Sequence, residues 1–233
     1  MNENALIQTQ KLVKKFPVGG GFFTALKDIN LNIEEGEFTG IVGPSGSGKT
    51  TLLNILGALD IPSEGDAIVL DNNIGKLSHK EAAALRNHHF GFIFQTYNLL
   101  PVYTVYENVE FPLLLQKKSF AERDRLVKQA LEWVGLMDKI KSRPSQLSGG
   151  ECQRVAIARA MVKEPKIVFA DEPTANLDAE NSHNVLKTMV KLNQEIGTTF
   201  LFSTHDEKVI TYLRRIISLN DGKIVKDEMV SGN

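Results

Sequence analysis

The eight residues Gly43-Pro44-Ser45-Gly46-Ser47-Gly48-Lys49-Thr50 are the part of this sequence whose types and spacing speak most directly of chemistry. They fit the pattern G-x-x-x-x-G-K-[ST] in full. Glycines at these points let the backbone wrap tightly, so that successive N–H groups and the start of the following helix face a common anion. The lysine then offers a positive charge to the outer phosphates, and the threonine hydroxyl offers an oxygen to Mg2+. Such a loop binds a nucleoside triphosphate. Further along, Asp171-Glu172 supplies an acid able to hold the magnesium shell opposite Thr50, and beside it a carboxylate able to take a proton from an attacking water. Taken alone, that pair would be an ordinary loop start; the glycine-rich loop upstream makes it a partner.

These groups need a strand, a loop and a helix in that order to hold them. Phe38-Thr39-Gly40-Ile41-Val42 is a short β-prone run before the loop, and Thr51-Leu52-Leu53-Asn54-Ile55-Leu56 has helical spacing after it. Upstream, Ile29, Leu31 and Ile33 alternate with polar residues and predict a half-buried strand ending at Glu35-Gly36-Glu37. Ile167-Val168-Phe169-Ala170 is apolar at every position, as a parallel strand covered on both faces should be, and it delivers Asp171 and Glu172. Residues 199–203 predict a second strand of this kind, residues 181–196 a helix, and residues 216–226 two short strands around Asn220-Asp221-Gly222. From residue 99 to about 161 the patterning is mostly helical, with residues 121–134 the clearest stretch. The fold class is α/β, with short antiparallel strands near the N-terminus and a helical insert.

Composition narrows the function classes. With 42% hydrophobic and 24% charged residues, and Lys+Arg 27 against Asp+Glu 28, the formal net charge is -1. That balance gives no general attraction for nucleic acid or anionic lipid. A chain of 233 residues suits one large α/β unit or one with an inserted subdomain. No run approaches the ~18–20 apolar residues of a membrane helix. Met1-Asn2-Glu3-Asn4 lacks the charged and apolar regions of a signal peptide, so the expectation is a chain that stays in the cytosol. The single cysteine, Cys152, cannot form an internal disulfide and has no base or metal-ligand partner in sequence, so neither a catalytic nor a metal role is expected of it.

A third motif decides among proteins with such a loop. Leu147-Ser148-Gly149-Gly150-Glu151, followed by Gln153-Arg154-Val155-Ala156-Ile157-Ala158-Arg159-Ala160, precedes the Asp171-Glu172 pair. With all three motifs in this order, the chain resembles the ATP-binding cassette (ABC) ATPases over essentially its whole length. The resemblance implies a P-loop NTPase (RecA-like) core with an N-terminal antiparallel β subdomain and an inserted α-helical subdomain. It implies one nucleotide-binding domain over residues 1–233, with about 1–95 and 160–233 as core and about 96–159 as the helical part. The ligands implied are ATP and Mg2+. Phe16 stands where an aromatic stacks on adenine, and residues Gly43 to Thr50 with Thr51 bind the phosphates. Thr50, Gln95 and Asp171 surround the metal, while Glu172, His205 and Gln95 are the catalytic set. Leu147, Ser148, Gly149, Gly150 and Glu151 form the signature that contacts the nucleotide of a partner subunit, and Asn176, Leu177 and Asp178 link the two sites.

The resemblance further implies a head-to-tail homodimer, peripheral at the cytoplasmic face of the inner membrane, bound to permease subunits with a large extracytoplasmic domain and to no nucleic acid. Local text such as Leu52-Leu53-Asn54-Ile55-Leu56-Gly57, Leu85-Arg86-Asn87, Gly91-Phe92-Ile93-Phe94-Gln95 and Glu107-Asn108-Val109 is similar to the lipoprotein-releasing, macrolide-exporting and cell-division ATPases, the LolD, MacB and FtsE type. Ala175, where that type usually has Gly, and Cys152, where it has Gln or Arg, depart from it. The function implied is powering a membrane permease; the alternative is a cell-division type that signals across the membrane and transports nothing. A soluble cassette of DNA repair or translation would carry a long coiled-coil insert or a second cassette, and this length holds neither. An inactive binding module would lack Glu172 or His205. Leu100 and Tyr103, just after Gln95, are expected either to meet a permease helix or to pack under the helical insert.

Overall fold

The computed structural model describes residues 5–230; Met1-Asn2-Glu3-Asn4, which carry the signal-peptide argument, lie outside the described residues, as do residues 231–233. The chain begins with a hairpin of β1 (Ala5–Val18) and β2 (Gly21–Glu34), turned through Gly19 and Gly20 at φ 48° and 90°. Each strand has 14 residues, so these are not the short strands expected. Register shifts between Thr9 and Leu12 and on to Lys15 break the alternation, which is why period-2 patterning stops being legible over much of the hairpin. Next come β3 (Phe38–Val42), α1 (Lys49–Leu56), β4 (Glu64–Val69), β5 (Asn72–Asn73), α2 (His79–His89) and β6 (Phe90–Phe94). Three helices follow, α3 (Val105–Leu115), α4 (Phe120–Trp133) and α5 (Gly149–Met161), then β7 (Ile167–Asp171) and α6 (Ala179–Ile196). The chain closes with β8 (Thr199–Thr204), α7 (Glu207–Ile210), β9 (Arg215–Asn220) and β10 (Lys223–Met229).

Two sheets result, an antiparallel one in the order β2-β1-β4-β5 and a six-stranded one in the order β10-β9-β3-β8-β7-β6. The larger is parallel apart from its β10 edge. Its central strands are buried on both faces. Val168, Ala170, Phe200 and Phe202 turn toward α3, α4, α5 and α6, whereas Ile167, Phe169 and Leu201 turn toward α1, α2 and the antiparallel sheet. That is why β7 reads as an apolar run ahead of Asp171 and β8 as a run of apolar and small residues. No helix among the described residues is long and apolar enough to cross a membrane.

The register of the parallel strands builds the site. Phe94 pairs with Asp171, Asp171 with Ser203, and Val42 with Thr204. The residues that follow these strands, Gln95, Glu172, His205 and Gly43, therefore leave the sheet along one edge, its C-terminal edge. In open α/β sheets this edge is where ligands bind.

Candidate functional site

The loop after β3 is held from below by backbone. A Cβ on Gly43 would lie 2.0 Å from the Leu219 carbonyl oxygen, and one on Gly48 would lie 2.8 Å from that of Ala25. The Gly222 N–H donates to the Ser47 carbonyl at 3.0 Å, tying the loop to the β9–β10 turn. Gly48, at φ 104°, leads into α1, which has no side-chain cap and no acidic residue in its first turn. The other six α-helices of the described residues each begin with a Ser, Thr or Asp side chain that accepts from their first turn. The N–H groups of α1 are thus left for an external anion. Lys49 is buried, and its Nζ donates to the carbonyls of Gly43 at 2.8 Å and Pro44 at 3.0 Å, which points the ammonium along the loop.

Across the sheet edge, the Thr50 hydroxyl donates to both carboxylate oxygens of Asp171 at 3.1 and 3.2 Å. Two of the three residues expected at the metal are therefore neighbours. Glu172 sits at φ 46°, a strained position for a side chain of its size, with its N–H donating to the Ser203 carbonyl at 2.9 Å. Its carboxylate contacts His205 Nδ1 at 2.5 Å and accepts from the Thr204 hydroxyl at 3.1 Å.

Most of these groups line one cavity of about 460 Å³, formed by Ser45, Gly46, Gly48, Lys49, Thr50, Thr51, Gln95, Glu172 and His205 together with Phe16 and Phe23. Phe23 was not singled out in the sequence. It pairs with Phe16 across the β1–β2 hairpin, and recognising the Gly19-Gly20 turn would have placed both rings on one face. Lys14 Nζ stands 5.0 Å from the centre of the Phe16 ring and is anchored by Asp60 at 2.6 Å. Arg159 was also missed in its positioning role: its guanidinium donates to the Tyr97 and Asn98 carbonyls, both in left-handed backbone, and so braces the segment after Gln95.

The signature residues Leu147, Ser148, Gly149, Gly150 and Glu151 line no part of this cavity. Ser148 and Glu151 cap α5 reciprocally, at 3.2 and 2.8 Å, and those bonds from Ser148 hold the Glu151 carboxyl below its usual range. A Cβ on Gly150 would lie 2.2 Å from Asn181 Oδ1. Asn176 donates to the Gln95 carbonyl at 2.8 Å, Leu177 packs against the core, and Asp178 caps α6 through Asn181, whose hydrogen bonds keep its carboxyl low. Cys152 is buried against the Pro144 carbonyl at 3.6 Å, and burial pushes its thiol up, so it is an inert packing group.

A family model described as ABC transporter matches residues 26–175. The macrolide export ATP-binding/permease protein MacB of Burkholderia thailandensis is 45% identical over 96% of this chain, and the match spans only 34% of that longer protein. The lipoprotein-releasing system ATP-binding protein LolD of Idiomarina loihiensis is 43% identical, covering 97% of this chain and 99% of that one. Among solved structures, the dimeric post-hydrolysis ATP-binding cassette MJ0796 bound to ADP and Pi superposes with a TM-score of 0.89 at 40% identity, over 97% of this chain and 100% of that one. The family match covers well over half the chain, and its loop, acidic pair and signature all fall on the residues that shape the cavity or cap the helix beside it. The chain belongs to the ABC transporter family, and its relatives are of the LolD and MacB type.

Proposed function

We propose that this chain binds ATP in the cavity beside Lys49 and hydrolyses it to drive a separate membrane permease of lipoprotein-release or MacB-like export type. The observation that carries this is the meeting, along one sheet edge, of a buried lysine, a Thr50–Asp171 pair and a Glu172–His205 pair. Lys49 and the α1 N-terminus receive the phosphates, and Phe16 and Phe23 receive the base. Among the described residues no cluster of three His, Cys, Asp or Glu could hold a metal. Thr50, Asp171 and Gln95, hard oxygen donors at the same sheet edge, would hold Mg2+ together with the nucleotide's own oxygens. When bound, the ion neutralises charge on the β and γ phosphates.

Glu172 takes a proton from the attacking water as its oxygen bonds the γ phosphorus and the bond to the ADP oxygen breaks. For that, Glu172 must exchange its contact with His205, which turns to the γ phosphate. The signature lies outside its own chain's cavity, which supports a head-to-tail homodimer in which each signature closes the partner's site. Exposed Leu100, Val102 and Tyr103 and the groove of Phe92, Phe94, Phe111 and Arg159 support docking of a permease helix against the helical part, at the cytoplasmic face of the membrane. The helical part is taken as about residues 96–159. The test is Glu172→Gln, which keeps shape and hydrogen bonding but removes the base. Turnover should fall about 10²–10⁴-fold while ATP binding persists and dimers accumulate. A variant hydrolysing ATP at the wild-type rate removes Glu172 from this role.

A further inference from the structure

A second concavity lies apart from the nucleotide cavity. It is a groove of about 720 Å³ between α6 and the α7 segment, and it shares no residue with the cavity beside Lys49. Its volume falls within the ~300–1,000 Å³ of small-molecule sites. One face of α6, two stripes spaced by four residues through His183, Lys187, Lys191 and Leu186, Val190, Gln194, forms one wall. Tyr212 forms the opposite wall, its ring edge-on to His183 at 5.7 Å and its hydroxyl bonded to His183 Nδ1. Leu186, Val190 and the Tyr212 ring make the floor apolar.

The rim is basic. Lys187, Lys191 and Lys208 border the groove against a single carboxylate, Glu207. Lys191 is only loosely paired, 3.9 Å from Glu195, and neither Lys187 nor Lys208 has a carboxylate within ion-pair distance among the described residues. An apolar floor of this size under unpaired ammonium groups complements a ligand with an apolar body and one negative head.

We propose that the α6–α7 groove binds a small amphipathic anion, an apolar body carrying one carboxylate or phosphate head, and that its occupancy slows ATP turnover. The two walls continue directly from the site. Asp178 caps α6, and α7 follows His205 and Asp206, whose carboxylate accepts from Thr174 at 3.0 Å in the loop after Glu172. A ligand bridging Lys208 to Lys187 or Lys191 holds α7 on α6 and so keeps His205 on Glu172, where it is 2.5 Å away. The effect on turnover rests on the ATPase role proposed above; the binding does not.

The experiment is isothermal titration of the full chain with octanoate and with octyl phosphate, and with octanol as the neutral arm. Saturable one-to-one binding of both anions is expected, with octanol weaker by about tenfold or more. In Lys187→Glu/Lys208→Glu the anions should bind at least about tenfold more weakly, with unchanged melting temperature and ATP affinity. Should charge reversal disturb folding, Lys187→Gln/Lys208→Gln serves the same purpose. Saturating octanoate should lower wild-type turnover at least about fivefold and leave the charge-reversed variant unaffected. Absent saturation, octanol binding as well as octanoate, or full binding by the folded variant overturns the site. Binding with unchanged turnover overturns the regulatory half. A chain that hydrolyses no ATP without any ligand counts against the ATPase proposal and leaves the binding result standing.

Discussion

A single methyl group at Gly150 tests whether the signature helix is seated on the segment that leads into α6. An added Cβ would lie 2.2 Å from Asn181 Oδ1, 2.6 Å from its Cγ and 3.1 Å from its Cβ, so the whole side chain must swing away and not its tip alone. Swinging breaks the 2.7 Å bond from Asn181 Nδ2 to Asp178. Overpacking of this kind costs about 1–3 kcal/mol, and the lost, partly exposed hydrogen bond about 1 kcal/mol. Better helix propensity of alanine returns up to about 1 kcal/mol. The net destabilisation is about 2 kcal/mol, or a melting temperature lowered by about 4–8 °C for a chain of this size. Gly149→Ala is the control, because its nearest neighbour is the Tyr97 hydroxyl at 3.0 Å, the end of a side chain that can move; its cost should stay below about 1 kcal/mol. Asn181→Ala added to Gly150→Ala removes the obstacle, so the double variant should be more stable than the sum of the singles by about 1 kcal/mol. Thermal and urea unfolding followed by circular dichroism measure the wild type, the three single variants, Asn181→Ala among them, and the double variant. Gly150→Ala melting within about 1 °C of wild type, or strictly additive singles, would refute the packing argument.

Lys49→Ala removes the buried ammonium that runs along the phosphate loop, and calorimetry should show ATP affinity falling about tenfold or more together with turnover; retention of both contradicts the site. Cys152→Ser should keep turnover within about twofold, since the thiol only packs against the Pro144 carbonyl, and a large loss of activity would give it a role the geometry does not suggest. Leu100 and Tyr103 are held by backbone bonds to Asn108 while their side chains stand 38% and 37% exposed. Leu100→Glu with Tyr103→Ser should therefore stay folded and bind ATP, yet lose copurification with a coexpressed permease and permease-stimulated turnover. An intact complex ends the docking proposal, and an unfolded variant favours the packing alternative.

Much of this molecule is legible in the sequence because its chemistry is contiguous. Gly43 to Thr50 must be glycine-rich to wrap an anion, and the backbone that wraps it is local, so eight residues carry the whole signal. The strands β7 and β8 announce themselves as runs of apolar and small residues because both of their faces are covered, and Ser148 with Glu151 is a capping box complete within four residues. What tertiary structure alone decides are contacts between side chains far apart in the chain. That Glu172 meets Thr204 and His205 depends on the register of β7 against β8, and one residue of slip would turn those groups to opposite faces. Phe23 enters the cavity because the Gly19-Gly20 turn sets it opposite Phe16 and because the hairpin packs its Ala25 backbone against Gly48 of the phosphate loop, a contact between distant parts of the chain. Gly150 reaches Asn181, and α6 leaves a groove beside α7, only through helix packing, in which the distance between two faces is fixed by the volumes of every side chain buried beneath them.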